Sequence, residues 1–386
     1  MTMTTNTSNE NRIRVALVIT ELNVGGAERC LTQLAIGLDR RHFEPLVIVI
    51  APRPLDEQQT LVNLLEAAQV PVRFLNASSK WQLPIGVWRL RKALEAFEPD
   101  VIQSFLFHAD VLTRLAGGGR RCHLFLGLRV ADPLRWRQRC ERWAARQATA
   151  VVCVSESVSE YARDEAEIQA EKLVVIPNAI DVEIQRSVKP LDLTSIGVGE
   201  SRRVILSVGR LHPQKGMDWL LKTMPGVFER LPEHDLLIVG TGPDETRLRA
   251  QARDLQIDDR VHFAGWRDDV PRLMAASSQL VLTSRWEGMP NVVLEAMAAA
   301  LPIVATNTHG MRELLGADHT RQTVEFGDSL ALTERLTSFG RGDELAARIG
   351  AANLSRAVDH FSLEGMVSAY ESLYQSHSHG SRGQRA

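Results

Sequence analysis

Two glutamates, Glu287 and Glu295, stand with seven residues between them in SRWEGMPNVVLEAMAAALPIVA (284–305). A glycine and Pro290 interrupt regular structure between them, and proline suits the first turn of a helix, so we predict a helix over 291–300. The backbone N–H groups at a helix start lack intrahelical partners and carry the positive end of the helix dipole. The corner between the glutamates is therefore predicted to bind an anionic or hydroxyl-rich ligand.

Two cationic residues, Arg210 and Lys215, follow an apolar run that ends at Gly209 in VILSVGRLHPQKGMDWLL (204–221). The pattern predicts a strand, a loop that carries both cations, and then a helix. Arginine grips anionic oxygens with a planar fork, and lysine supplies a mobile point charge. The alternative is that both are ordinary exposed loop residues.

Two further sequence motifs are IVGTGPDETRLRAQA (238–252) and VHFAGWRDDVPRLMAASSQLVLTS (261–284). In order and spacing, the four runs resemble the motifs of the retaining, nucleotide-sugar-dependent glycosyltransferases of GT-B fold, also described as glycosyl transferases group 1 or family 4-like. Four ordered matches are a specific signal, although each one alone is weak. The resemblance implies an α/β protein with two Rossmann-like, doubly wound domains that face a shared cleft.

The resemblance also implies roles for individual residues. Arg210 and Lys215 would bind the donor diphosphate, and Glu295 would hydrogen-bond the ribose hydroxyls. Glu287, with the amides after it, would contact hydroxyls of the donor sugar. The other residues that the resemblance assigns to nucleotide-sugar binding are Gly242, Trp266, Arg267, Gly288, Met289, Pro290 and Asn291. We predict Glu287, Arg210, Lys215 and His108 as the catalytic residues.

A further candidate site lies near the start of the chain, in VALVITELNVGGAERCLTQLAIGL (15–38). Gly25 and Gly26 separate a predicted strand from a predicted helix, where a glycine allows close backbone approach and a helix start favours phosphate. A dinucleotide site is disfavoured because G-x-G-x-x-G is absent and no acidic residue ends the next strand. The resemblance implies that this glycine pair approaches the donor phosphates and the acceptor.

His108 follows the predicted strand in VIQSFLFHAD (101–110). From the residues alone, a histidine that caps the next helix or packs against Phe105 and Phe107 is favoured over a functional one. The resemblance reverses this preference, because that family places a histidine near the transferred sugar after this strand. We therefore expect His108 to help position the sugar and, through nearby backbone, to stabilise positive charge that develops at its anomeric carbon.

Apolar β-branched runs alternate with helical patterns along the chain, which predicts parallel sheets covered on both faces. The predicted strands are 14–20, 46–51, 72–75, 101–104, 123–128, 150–155, 173–176, 204–208, 235–239, 260–263, 279–283, 302–305 and 322–325. The predicted organisation is a disordered tail (1–10), an acceptor-side domain (11–185), a linker (186–203), a nucleotide-sugar domain (204–360), a helix expected to cross back (361–375) and a disordered tail (376–386).

Composition excludes several classes of protein. With 386 residues, 44% hydrophobic, 24% charged and a net charge of −2, the chain resembles an ordinary globular protein and not a nucleic-acid binder. No apolar stretch reaches transmembrane length, the N-terminal residues lack the pattern of a secretory signal, and the four cysteines show no zinc-like spacing. We expect a cytoplasmic protein, either free or held peripherally at the inner face of the membrane, that needs no cofactor beyond its donor substrate. No D-x-D metal motif is present.

One stretch is strongly basic: Leu112 to Gln147 holds nine arginines against Asp132 and Glu141. Trp136 and Trp143 are seven residues apart and share a helical face. Arginines with interfacial tryptophans suit a helix on anionic lipid, which would imply a lipid-linked acceptor and membrane contact through 129–147. An exposed arginine-rich helix whose tryptophans pack into the core is an equal alternative.

The chain departs from the family pattern at three places: Ala300 replaces a usual glycine, His309-Gly310 a Gly-Gly pair, and Asn178-Ala179 an Asn-Gly turn. These departures could alter donor choice or be tolerated loop variants. The leading prediction is a glycosyltransferase that extends a saccharide or lipid-linked acceptor. A non-catalytic sugar-nucleotide-binding subunit is the alternative, and an epimerase would need acid–base residues that we cannot assign.

Overall fold

A computed structural model describes residues 12–55, 58–77, 82–119, 122–342 and 344–378. The chain divides into two compact units. Unit 1 comprises the described residues up to Asn178 together with those from Leu363 onward, and unit 2 comprises Ala179–Ser362.

Unit 1 alternates strands and helices. Its strands are β1 (Ile13–Ile19), β2 (Phe43–Val49), β3 (Val72–Phe74), β4 (Val101–Phe105), β5 (His123–Leu128), β6 (Ala150–Cys153) and β7 (Leu173–Val175). The helices between them are α1 (Gly26–Gly37), α2 (Thr60–Ala67), α3 (Leu83–Phe97), α4 (Phe107–Leu115), α5 (Arg135–Ala145) and α6 (Glu156–Asp164).

Unit 2 begins with a short helix and then repeats the alternation. Its strands are β8 (Arg203–Val208), β9 (His234–Val239), β10 (Val261–Phe263), β11 (Gln279–Leu282), β12 (Ile303–Thr306) and β13 (Thr323–Val324). Its helices are α7 (Val182–Ser187), α8 (Met217–Arg230), α9 (Glu245–Asp254), α10 (Val270–Ala275), α11 (Asn291–Ala298), α12 (Met311–Leu315), α13 (His319–Gln322), α14 (Ser329–Gly340) and α15 (Glu344–His360).

Both sheets are parallel and doubly wound. The strand order is β3-β2-β1-β4-β5-β6-β7 in unit 1 and β10-β9-β8-β11-β12-β13 in unit 2. Strands such as β6, β9 and β12 are buried along their whole length because helices cover both faces, which explains their continuous apolar sequences. The predicted fold class of two Rossmann-like domains is confirmed.

The C-terminal helix α16 (Leu363–Ser378) belongs to unit 1. Its Tyr370 and Tyr374 are fully buried, and the Tyr374 ring lies 5.5 Å from that of Phe125 in β5. The range 186–203, predicted as a linker, lies inside unit 2, whose boundaries fall at Asn178/Ala179 and Ser362/Leu363. Of the predicted tails, 376–378 are part of α16, whereas 1–10 and 379–386 lie outside the described residues.

Candidate active site

The strand order of unit 2 defines a place for a ligand. Successive connections run from β8 through β9 to β10 on one side, and β11 lies beside β8 on the other. The chain therefore continues towards opposite ends of the sheet after β8 and after β11. Open α/β sheets bind ligands at the carboxyl ends of such a strand pair. The loop after β8 carries Arg210 and Lys215, and the loop after β11 carries Glu287.

Lys215 and Glu287 meet at this place. The Lys215 ammonium lies 2.5 Å from Oε1 of Glu287, and the Ser284 hydroxyl donates to the same oxygen at 2.6 Å. Glu287 is only 5% exposed and Ser284 is fully buried. A buried carboxylate that accepts a charge-assisted hydrogen bond is held in one orientation.

A glycine makes this approach of the two loops feasible. Gly216 has a left-handed φ of +62°, and a Cβ there would lie 2.1 Å from the carbonyl oxygen of Thr283. The Thr283 hydroxyl donates to the Lys215 carbonyl at 3.1 Å, and the Gln214 amide donates to the Trp286 carbonyl at 2.9 Å. Backbone contact between the loops thus fixes the base of the Lys215 side chain.

The corner after Glu287 leads into α11. Asn291 is the first helical residue, whereas Pro290 is the N-cap with ψ of 121°. The predicted start of the helix at Asn291 is therefore confirmed, and the extended ψ of Pro290 makes this proline the N-cap instead of a residue of the first turn. Gly288 and Met289 are buried, and Glu295 lies half-buried on the helix. The predicted corner of loop and helix start is present.

The loops after β9 and β10 supply three more predicted residues. A Cβ on Gly242 would lie 2.3 Å from the Leu211 carbonyl oxygen, so the loop after β9 lies directly against the loop that follows β8. Trp266 and Arg267 follow β10 and are half-buried. The Arg267 guanidinium forms two hydrogen bonds with the Asp269 carboxylate, at 2.7 and 2.6 Å, and they lower the pKa of Asp269. Arg210 is exposed at the start of its loop.

Unit 1 has a second switch point, between β1 and β4. Gly25 is the N-cap of α1, directly after the β1 loop, and Gly26 is the first helical residue. The carboxylate of buried Glu28 lies over Gly25, where a Cβ would meet its Oε2 at 2.3 Å. The missing side chain of Gly25 therefore leaves room at the helix start, and the Glu28 carboxylate occupies that room.

His108 lies beside this place, in the first turn of α4 after β4. Its side chain is exposed, and its ring centroid is 5.2 Å from that of Phe107. The Phe107 ring in turn packs edge-on against Trp136 of α5 at 5.4 Å. Thus Gly25, Gly26 and His108 share the switch point of unit 1, while Arg210, Lys215 and Glu287 share that of unit 2.

Comparisons with known proteins agree with this geometry. The family model Glycosyltransferase Family 4 matches residues 24–184, and Glycosyl transferases group 1 matches residues 202–341. The chain belongs to the nucleotide-sugar-dependent glycosyltransferases of GT-B fold. The first match covers the glycine pair and His108, and the second covers every predicted site residue of unit 2.

Two curated relatives and a solved structure are similar to this glycosyltransferase. The Escherichia coli UDP-Gal:alpha-D-GlcNAc-diphosphoundecaprenol alpha-1,3-galactosyltransferase is 26% identical over 95% of this chain and 98% of its own length. The phosphatidyl-myo-inositol mannosyltransferase of Mycobacterium leprae is 34% identical over 57% of this chain and 58% of its own. Anabaena Alr3699/HepE, solved with UDP-glucose, superimposes with a TM-score of 0.82 at 24% identity over 95% of this chain and 100% of that chain.

The departures from the family pattern have clear places in the glycosyltransferase. Ala300 follows α11 with φ of +56°, and bonds from Ala300 N to Met297 O and from Leu301 N to Ala296 O form a Schellman motif, whose left-handed position favours glycine. Gly310 packs its backbone onto Gly288, where a Cβ would meet the carbonyl oxygen at 2.0 Å. Half-buried His309 therefore lies beside the glutamate corner.

The basic stretch has features of both alternatives from the sequence, a lipid-facing helix and a helix whose tryptophans pack into the core. Trp136 is 53% exposed, whereas Trp143 is half-buried beneath the Arg114 guanidinium at 4.9 Å. Arg129 is buried and hydrogen-bonded to Asn178, so it contributes nothing to the surface charge. The exposed cations of α5 and its C-cap are Arg135, Arg139, Arg142 and Arg146.

Two side chains that the sequence analysis passed over belong to these sites. Ser284 orients Glu287, and its signal was a hydroxyl at a strand end three residues before the glutamate. Asp110 follows His108 by two residues in the first turn of α4, where it is buried and accepts a hydrogen bond from Ser104. An aspartate in the first turn of a helix usually faces solvent, so its burial had no sequence signal. Among the described residues, no helix is long and apolar enough to cross a membrane, and no cluster of three or more His, Cys, Asp or Glu residues could hold a metal ion.

Proposed function

We propose that this glycosyltransferase moves a hexosyl or N-acetylhexosaminyl group from a nucleoside-diphosphate sugar to a saccharide or lipid-linked acceptor, with retention of anomeric configuration. The reaction needs no metal ion and serves glycolipid or polysaccharide synthesis on the cytoplasmic side of a membrane. The observation that carries the proposal is the cluster of Lys215, Glu287 and Ser284 at the switch point of unit 2.

The cations stabilise the leaving group. As the bond between the anomeric carbon and the diphosphate breaks, negative charge accumulates on the diphosphate oxygens, and fixed positive charge there lowers the barrier. Lys215 is anchored by Glu287 and Arg210 extends from the same loop, so both reach the carboxyl edge of β8. Together with the N-terminus of α11 they take the part that a divalent ion plays in other sugar transferases.

The acidic residues recognise hydroxyls. Glu287, oriented by Ser284, accepts hydrogen bonds from the donor sugar, and Glu295 accepts them from the ribose. The N–H groups of the corner 288–291 supply donors for sugar oxygens or phosphate. Both roles use the glutamates as hydrogen-bond acceptors, and the contact with Lys215 holds the Glu287 carboxyl group in place for this role.

The transfer itself balances without a covalent enzyme intermediate. The bond from the anomeric carbon to the diphosphate oxygen breaks, the bond to the acceptor oxygen forms on the same face, and the acceptor proton passes to the departing phosphate. The acceptor and diphosphate approach Gly25 and Gly26 at the start of α1, where the Glu28 carboxylate moves aside. His108 positions the sugar, and the backbone near it stabilises positive charge at the anomeric carbon.

The donor that we favour is a UDP-hexose and the acceptor a lipid-diphosphate-linked sugar. The support is the Escherichia coli relative, whose name states UDP-Gal as donor and a diphosphoundecaprenol-linked sugar as acceptor, and which aligns over 95% of this chain. A matching assay supplies UDP-hexoses and a short-chain lipid-diphosphate sugar, with EDTA present. Proton NMR of the product reads the anomeric configuration. An inverted product, or turnover that EDTA abolishes, would refute that part of the proposal. Donor binding without any transfer or hydrolysis would favour a non-catalytic subunit.

The surface of α5 supports a membrane-bound acceptor. Leu134 and Trp136 are 48% and 53% exposed beside four exposed arginines, a composition that suits an anionic lipid surface. Flotation with anionic vesicles tests this contact. The variant Arg135→Gln/Arg139→Gln should lose flotation, whereas Arg341→Gln/Arg348→Gln in unit 2, with the same change in charge, should float like the parent. Equal flotation of both variants would argue against α5 as the contact.

A further inference from the structure

The backbone between β4 and α4 is strained. Leu106 has φ of 74° and ψ of 150°, a conformation that is nearly restricted to glycine. Such a residue persists only where surrounding contacts hold the chain in place, and these positions concentrate at functional sites. His108 is two residues further on, so the contacts that hold this junction also determine where His108 lies.

The described contact that ties the junction to the sheet is the carboxyl group of Asp110. It accepts a 2.5 Å hydrogen bond from the Ser104 hydroxyl in β4 and a 3.3 Å bond from the Gly127 N–H in β5. A Cβ on Gly127 would lie 2.6 Å from the Ser104 carbonyl oxygen, so glycine leaves the room for this connection. Asp110 is 4% exposed and Ser104 is fully buried.

We propose that Asp110 is a positioning residue for His108. Its bonds to Ser104 and Gly127 join the first turn of α4 to the carboxyl ends of β4 and β5 and stabilise the strained Leu106. His108 is thereby presented at the switch point of unit 1. The inference rests on the proposed function, because it assumes that His108 acts on the transferred sugar.

The hydrogen bonds of Asp110, and not its charge, are what the positioning role requires. Burial raises its pKa to about 7, while the Ser104 and Gly127 bonds and the charge of Arg129 act in the opposite direction. Glu141 of α5 lies across a small cavity lined also by Val111, Leu126 and Leu128. Asparagine at position 110 keeps an oxygen for Gly127 and adds an N–H for Ser104, so it preserves the connection without the charge.

The test compares turnover with donor affinity. Asp110→Ala should lower kcat about 10²-fold, as expected for a misplaced group near the reacting atoms, and leave the KM for the UDP-hexose unchanged. Asp110→Asn should restore most of the turnover. In a profile of kcat against pH, it should also remove any change near neutral pH that comes from titration of the Asp110 carboxyl group. The double variant Asp110→Ala/His108→Ala should be no slower than His108→Ala alone, because both changes disable the same function.

Glu141→Ala is the matched control. Glu141 is also a buried acid of unit 1, 7% exposed and beside the same cavity, but among the described residues no hydrogen bond joins it to Ser104 or Gly127. It should lower thermal stability and retain kcat. If Asp110→Ala does not fold, Ser104→Ala removes one of the two bonds and should give a smaller loss of kcat.

The inference is overturned if Asp110→Ala reduces kcat no more than Glu141→Ala, or if losses from Asp110→Ala and His108→Ala multiply in the double variant. The proposed function has a separate outcome. Full turnover in His108→Ala would refute the role of the histidine itself, whereas a slow His108→Ala with a fast Asp110→Ala would refute only the positioning role.

Discussion

The two units share one strand order around their switch points but place different chemistry there. In unit 2, between β8 and β11, a buried ion pair of Lys215 and Glu287 is already formed and fixed by Ser284. In unit 1, between β1 and β4, the glycine helix start at Gly25 lies under the Glu28 carboxylate, and an exposed histidine, His108, follows a strained junction. A preformed ion pair suits the binding of a polyanionic donor, whereas a glycine helix start and an exposed ring suit the sugar and acceptor.

The largest expected effect comes from removing the cation of unit 2. Lys215→Ala should reduce kcat by about 10²–10³-fold, because one fixed charge on the leaving group is lost. It also leaves the buried Glu287 carboxylate without its cation, which costs about 3–5 kcal/mol for a buried pair. Steady-state kinetics and urea denaturation measure both losses. Lys222→Ala, an exposed lysine on α8, is the control and should match the parent in both.

Removing the His108 imidazole ring in unit 1 should lower turnover without changing nucleotide binding. His108→Ala is expected to lower kcat about 10²-fold and to leave the thermal shift induced by UDP unchanged, since the charged donor contacts that we propose lie in unit 2. His42→Ala, another exposed histidine of unit 1, should leave both quantities as in the parent. A His108→Ala enzyme with weak UDP binding and normal kcat would erase the distinction between the two switch points.

The units should also respond to pH in opposite directions. In unit 1, burial raises the pKa of Glu141 to about 8. Its folded-state pKa is above the unfolded value of 4.5, so its stabilising contribution is complete below that value and is lost as pH rises towards 8. Glu141→Gln should therefore weaken this loss, whose limiting slope is about 1.4 kcal/mol per pH unit.

In unit 2, burial is the main cause that lowers the pKa of His234 to about 4, with the charge of Arg203 acting in the same direction. Its folded pKa is below the unfolded value of 6.5, so stability is lost as pH falls from there. His234→Phe should remove this acid sensitivity. Hydrogen exchange of β5 and β9 peptides from pH 5 to 8, corrected for intrinsic rates, reports the units separately. Parallel pH responses would contradict the assignment.

The smallest effect concerns the helix that carries Glu295. Ala300→Gly should raise the free energy of unfolding by about 1 kcal/mol, because alanine is strained at its φ of +56°. Ala299→Gly, one residue earlier at φ of −82°, should lower it by about 0.5–1 kcal/mol. Urea denaturation measures both. Turnover should not change in either variant. A large change of kcat in Ala300→Gly would show that this position takes part in catalysis or binding as well as in stability.

Much of the fold could be predicted because parallel strands buried on both faces leave long apolar signatures. Predicted and observed strands agree closely, as for β5 at 123–128. Ends set by backbone conformation were harder to predict. The helix predicted over 291–300 stops at Ala298, because Ala300 takes the left-handed conformation that closes it.

The candidate site, like the fold, has features that the sequence could predict and features that it could not. Motif spacing could indicate Arg210, Lys215 and Glu287, because each follows a recognisable strand. It could not indicate that Lys215 and Glu287 form an ion pair, which depends on how closely Gly216 lets two loops approach. Nor could it separate Trp136 from Trp143, since helical spacing gives a shared face but not what covers each end of it.

The most direct test of the central claim, a donor site at the switch point of unit 2, is a thermal-shift panel. UDP, GDP, ADP and their common sugar conjugates are titrated against the parent, Arg210→Ala and Arg253→Ala, the last an exposed arginine on α9. A ligand that binds only the folded state raises its melting temperature with occupancy. We expect a selective shift, led by UDP and UDP-hexoses, that survives in Arg253→Ala and disappears in Arg210→Ala. No shift with any nucleotide, or an undiminished shift in Arg210→Ala, would contradict it.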